Sequence, residues 1–240
     1  MTTSPTRRFL ARLWPHSYLG AIAVACLVAG CGSKPASVSP VGFAPASRES
    51  FQQAAAATVP AGREIARIGW KADDGQLQLS GAGAVRLAPP DSLRLDVAAT
   101  LGLGRSTLVI VGDSVVAQPA VAVDRILPDR FALWAALGIM RSPAGRLLYE
   151  MSSDGPATFW RTTDAAGTMT VFEIRDGALA SVTRQQGTQA VSQLRIARGA
   201  NGAVTRATLT DTPHHFRLQV DVNRIEPSEA FAPEIWQLRP

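Results

Sequence analysis

From Ile65 onward the chain changes character at every second residue. Ile68 and Trp70 share one parity in Ile65–Lys71, and Leu77, Leu79, Val85 and Leu87 share one in Gln76–Leu87, opposite Gln76, Gln78, Ser80 and Arg86. Leu93, Leu95, Val97, Ala99 and Leu101 alternate again, followed by Thr107–Val111 and Val115–Gln118. A period of two places apolar side chains on one face of a strand. After a break, six more such segments begin near Thr158, Thr168, Ala178, Ala190, Ala203 and His215. Asp74-Gly75, Gly112-Asp113, Asp176-Gly177 and Asn201-Gly202 lie between segments and supply hairpin turns. Short connections imply an antiparallel meander of about 11 strands. The expected fold is mainly β (α+β), one large, strongly curved sheet with a few helices packed against it.

Three segments break the alternation. Ser47 is a fitting N-cap for RESFQQAAAATV, which stops at Pro60. Asp129 precedes RFALWAALGIM, in which Phe131, Leu133, Trp134, Leu137, Ile139 and Met140 leave almost no polar face. A helix that is apolar all round must be buried in protein or lipid. Ala144 to Met151 reads as a second short helix after Pro143. No internal repeat and no second domain is visible.

The N-terminus reads as an address. Arg7, Arg8 and Arg12 precede Tyr18–Gly30, an uncharged run of thirteen residues. That is too short for a bilayer span of about 20 residues but suits a signal peptide. The run ends Leu27-Val28-Ala29-Gly30-Cys31, which resembles the lipobox of bacterial lipoproteins. The resemblance implies cleavage after Gly30 and acylation of Cys31. Gly32, where Asp would favour inner-membrane retention, leans toward the outer membrane facing the periplasm. Gly32–Ala46 is rich in Pro, Ser, Ala and Gly, as a tether is. The organisation expected is 1–30 signal peptide, 31–46 lipidated Cys and flexible tether, and 47–240 folded domain.

Composition narrows the function. Of 240 residues 46% are hydrophobic and 18% charged, which excludes wholesale disorder. Loss of the three N-terminal arginines leaves 21 basic against 19 acidic residues, so no basic stripe marks a nucleic-acid binder. Beyond the leader the histidines are His214 and His215, expected on a strand with opposite orientations and so unable to share a metal. There is no GxSxG elbow, and Gly81-Ala82-Gly83 and Gly102-Leu103-Gly104 lack the rest of a phosphate loop. Asp73-Asp74, Asp113, Asp164 and Asp176 fall in expected turns. The sequence therefore offers no catalytic residues, no metal ligands and no cofactor motif.

What it offers is apolar surface. Trp70, Leu79, Leu95, Val97, Phe131, Trp134 and Leu137 are the candidates to line a cavity between sheet and helices. The stretch Asp91–Gln118 resembles the central strands of the LolB family of outer-membrane lipoprotein receptors. It carries Leu93-Arg94-Leu95, then Leu103-Gly104, then Ser106-Thr107-Leu108. Leu133-Trp134 followed by Leu137-Gly138 is similar to that family's Trp-containing helix. The resemblance, covering about 60–145, implies an unclosed β-barrel over a hydrophobic cavity. In that family the cavity takes acyl chains of lipoproteins from a periplasmic carrier protein, and an exposed loop leucine delivers them to the membrane. Leu103 matches that leucine, with Leu101 the rival; Gly102, Gly104 and Arg105 around it depart from the family.

Two readings follow. In the first, the chain is a lipid-anchored envelope protein that holds acyl chains or lipoproteins without catalysis. In the second, it is a structural or signalling envelope lipoprotein that uses the same fold as a protein-interaction surface. A continuous cavity near Trp70, Leu95 and Trp134 favours the first, and a filled core the second.

Overall fold

Alternating strands can satisfy their backbone groups only by pairing, and here they pair almost entirely with their sequence neighbours. The computed structural model describes residues 42–100, 104–119 and 130–238. The chain opens with β1 (Ala44–Pro45) and α1 (Arg48–Ala57), then β2 (Arg63–Asp73), β3 (Gln78–Ala88), β4 (Ser92–Ala99), β5 (Arg105–Val111) and β6 (Ser114–Gln118). Helix α2 (Arg130–Ala136) follows. Seven strands come next: β7 (Leu148–Asp154), β8 (Ala157–Thr163), β9 (Thr168–Arg175), β10 (Ala178–Gln186), β11 (Gln189–Arg198), β12 (Val204–Asp211) and β13 (Phe216–Ser228). A 3-10 turn, Pro233–Trp236, ends the series.

All thirteen strands lie in one antiparallel sheet ordered β1-β7-β8-β9-β10-β11-β12-β13-β2-β3-β4-β5-β6. Two meanders, β2–β6 and β7–β13, are joined where β13 pairs with β2, from Arg217↔Asp73 to Ser228↔Arg63. Among the described residues no ladder joins β6 to β1 or β7, so the barrel is unclosed. Its curvature follows from the core. Trp160 on β8 and Leu108 on β5 belong to one buried cluster, yet in a flat sheet nine strand spacings, about 43 Å, would separate them. Both helices contribute to that cluster, so they lie on the concave face.

The turns follow their residues. Asp176 and Gly177 both have positive φ, 52° and 76°, the backbone of a type I′ hairpin. Gly112 has φ 56° and joins Val111 to Ser114. Asp74 Oδ1 accepts the N–H groups of Gln76 and Leu77, and Asp164 Oδ1 those of Ala166 and Thr168, so these carboxylates are turn builders. Ser47 caps α1 by accepting the Ser50 N–H at 3.1 Å. Phe51 on α1 is buried against the rings of Tyr149, Trp160 and Phe172 at 5.2–5.7 Å.

Four expectations are corrected. Residues 148–154 form a strand rather than the end of a helix, because they complete the ladder of β8 from Leu148↔Thr163 to Asp154↔Ala157. Contacts with the sheet begin before Ser47: Ala44 and Pro45 pair with Met151 and Glu150, and Phe43 stacks on the Arg161 guanidinium at 4.1 Å. These two strands, β1 and β7, raise the count from about 11 to thirteen. His214 and His215 lie in the turn before β13, where His215 has φ 51°, so the argument from opposite strand faces does not apply to them. Leu77, placed on the inward face by parity, is 48% exposed at the β2–β3 turn.

Two glycines of β3 allow close approach of neighbouring groups. A Cβ on Gly81 would lie 2.0 Å from the Ala98 carbonyl and 2.7 Å from the Trp70 ring, and one on Gly83 would lie 2.6 Å from the Asp96 carbonyl. Trp70 thus lies across a strand that has no side chain beneath it. Gly81→Ala is expected to cost about 1–3 kcal/mol, the range for overpacked cores. Gly62→Ala, where nothing lies within 4 Å, is the control. Urea denaturation checks both, and equal midpoints would show that Trp70 does not need the bare strand.

Candidate functional site

The concave face carries most of the buried apolar side chains of the chain's described residues. Helix α2 lies against it. Ala132, Leu133, Trp134, Ala135 and Ala136 are buried in succession, so the helix has no wet side over this stretch. It is shorter than the run RFALWAALGIM suggested, ending at Ala136. The stop is built from Gly138, whose φ is 80°. The Gly138 N–H donates to Ala135 O at 2.8 Å and the Ile139 N–H to Trp134 O at 2.9 Å. This is a Schellman closure, which needs a left-handed residue at that position.

Three side chains hold the C-terminal end of α2. The Thr58 hydroxyl accepts the Met140 N–H at 2.8 Å while donating to Ala55 O at 2.7 Å, tying α1 to the segment after α2. The Arg141 guanidinium stacks over Trp134 at 4.5 Å and donates to the Pro90 carbonyl in the β3–β4 turn. Arg198 lies beneath Gly138, and its fork donates to Gly202 O at 2.9 Å and Leu179 O at 3.2 Å. Burial pushes the pKa of both guanidiniums down, for Arg141 against the opposing charge of Asp91.

Between α2 and strands β10–β12 lies a cavity of about 10 Å³, roughly one water-sized sphere. Its walls are Ala132 and Ala135 of the helix and Val182, Leu194 and Leu209 of the sheet, with Arg184 and Ser192 at one side. The sequence candidates lie elsewhere on the same face. Trp70, Leu95 and Trp134 are 4%, 6% and 7% exposed within the central cluster, and Leu79, Val97 and Leu137 pack at its margin. None of these six lines this cavity. The Trp70 Nε1 is buried there without a hydrogen-bond partner. Cys31, Leu103 and the side chain of Phe131 lie outside the described residues. Sequence reasoning missed Arg184 and Ser192. Simple parity does pair Arg184 with Val182, but β-bulges on either side of them hide which face that parity takes. Among the described residues no three His, Cys, Asp or Glu side chains gather to hold a metal ion.

No protein-family model matches the chain, and no curated protein matches it by sequence. Solved structures do match. A LolA superfamily protein from Nitrosomonas europaea superposes with a TM-score of 0.57 at 10% identity, covering 80% of this chain and 98% of that one. The chain has the LolA-like fold. A putative outer membrane lipoprotein-sorting protein domain from Vibrio parahaemolyticus matches with a TM-score of 0.44 at 9% identity, covering 78% and 94%. A DUF1329 family protein from Desulfovibrio piger gives 0.45 at 12%, covering 79% and 96%. The LolA-like fold agrees with the unclosed barrel that the resemblance of Asp91–Gln118 implied.

Proposed function

We propose that this chain is a lipid-anchored binding protein of the bacterial cell envelope. It takes acyl chains, free or borne by lipoproteins, between α2 and the concave face and passes them to the outer membrane without catalysis. The observation that carries this reading is α2 itself. A helix with no wet side over 132–136 lies against the concave face of an unclosed sheet, over β10–β12, and leaves a cavity there. Removing that helix would uncover apolar surface at a cost of about 25 cal/mol per Å², and an acyl chain in its place offsets the cost. The LolA-like fold and the LolB-like segment support the same reading.

The rest of the chain fits as its delivery apparatus. Residues 1–30 are cleaved, Cys31 carries the lipid, and acyl chains at about 0.8 kcal/mol per buried methylene hold the protein to the membrane. Leu103 is the membrane-facing residue. Its flank Gly104 is exposed with φ 118°, and the Ala99 N–H donates to the Gly104 carbonyl at 3.0 Å, closing the β4–β5 connection. The partners are acyl chains or lipoproteins, the membrane and a periplasmic carrier.

Among the described residues, the burial of Trp70, Leu95 and Trp134 within one cluster favours a second reading. A cavity of about 10 Å³ holds no acyl chain as it stands, and a protein with such a core can use the fold as an interaction surface instead. Native mass spectrometry of the purified chain separates the two. The first reading expects retained acyl lipid, and several-fold less in Ala135→Leu, which fills the cavity at an overpacking cost of about 1–3 kcal/mol. Wild-type protein free of acyl lipid supports the second.

For the anchor, an alkynyl palmitate is expected to label the wild type and not Cys31→Ser, and equal labelling of both refutes it. Leu103→Glu is expected to keep retention and slow transfer to liposomes. A stability loss above about 2 kcal/mol would instead mark Leu103 as buried.

A further inference from the structure

The cavity is amphipathic, and its polarity changes along the strands. Register places Phe172, Val182, Leu194, Leu209 and Leu218 side by side across β9–β13, an apolar row. Two residues nearer the β10–β11 hairpin, about 7 Å along the strands, the same ladders align Thr170, Arg184, Ser192 and Asp211. The cavity spans both rows: Val182, Leu194 and Leu209 form its depth, Arg184 and Ser192 its polar side.

Among the described residues, Arg198 and Asp211 near this face are already committed. Arg198 sits at the opposite end of α2, bonded to two carbonyls. Asp211 Oδ1 is taken by the backbone N–H and ring of His214 at 3.3 and 3.0 Å. Arg184 has an interaction of its own in this arrangement, and its five N–H donors let a carboxylate join that interaction or replace it. A guanidinium fork matches the two oxygens of a carboxylate, and the Ser192 hydroxyl adds a donor beside it.

We propose that Arg184 and Ser192 form a headgroup subsite, and that the ligand is a single-chain anionic amphiphile with a carboxylate head, a fatty acid. This rests on the reading that acyl chains replace α2 over β10–β12. The acyl chain lies along the apolar row, and the carboxylate stays at the polar row near the β10–β11 hairpin.

The test is photocrosslinking of the full chain in nanodiscs of zwitterionic two-chain phospholipid. The probes are a diazirine fatty acid, its methyl ester and the matching lysophosphatidic acid, and labelled peptides are mapped by mass spectrometry. In the wild type the acid is expected to label α2 and β10–β12 about tenfold more than the ester, the scale of one charge-assisted hydrogen bond. Arg184→Gln is expected to bring the acid down to the ester's level while ester labelling holds, which also reports that the variant is folded. Arg184→Lys keeps part of the preference, because it keeps charge but not the fork. Equal labelling of the wild type by acid and ester, or a preference that survives Arg184→Gln, overturns the subsite and leaves acyl binding standing. Lysophosphatidic acid labelling tenfold above the fatty acid overturns the carboxylate assignment in favour of a phosphate head. No labelling of α2 or β10–β12 by any probe overturns the acyl-binding reading beneath it.

Discussion

Everything on the concave face depends on the pairing of β2 with β13. Each meander alone is a run of hairpins with local contacts. Only the ladder from Arg63↔Ser228 to Asp73↔Arg217 brings chain segments about 150 residues apart into one sheet. It also places Trp70 beside Val220, and so sets the indole over Gly81 on the next strand. From that seam the two halves curl toward each other, and the apolar parity of each strand turns inward as one surface. Without the seam there are two open sheets and no interior for α2.

The interior that results is closed from within. The same apolarity that would receive an acyl chain is satisfied here by α1, α2 and the residues after it. Helix α2 is fastened by residues outside it. Its C-terminal end is held by Thr58, Arg141 and Arg198, each bonded to backbone of another element or of the segment after the helix. The small side chains Ala132 and Ala135 face the cavity of about 10 Å³. In the proposed reading the helix stands in for a ligand, and an acyl chain that buries more apolar surface on the same strands would displace it.

Much of this architecture was legible in the residues, and the failures have physical causes. Apart from β7, the strands of both meanders read from alternation, because each half-buried strand must keep one parity apolar. The Asp-Gly pair at 176–177 read correctly because the tight hairpin requires positive φ at both positions. The helix α1 read from its cap. The segment Ala144–Met151 misled because Ala, Arg, Leu, Glu and Met favour a helix locally, while the free edge of β8 recruits its end as a strand; tertiary pairing overrides local propensity. β1 was hidden because its two residues, Ala44 and Pro45, carry no alternation at all. The apolar candidates were found as a group but not located. Which of them meet a cavity depends on where α2 comes to rest, and bulges beside Leu179 and Gln185 obscure the face to which Arg184 belongs.

The central claim is that α2 and an acyl chain compete for the same strands. Hydrogen–deuterium exchange of the full chain, with and without a fatty acid, tests it directly through the amides of Ala132–Ala136 and of β10–β12. Competition predicts that the ligand speeds exchange in α2 by releasing it and slows exchange in β10–β12 by covering them. Slower exchange in α2 together with the strands would mean that the helix stays in place over any ligand, and would contradict the account.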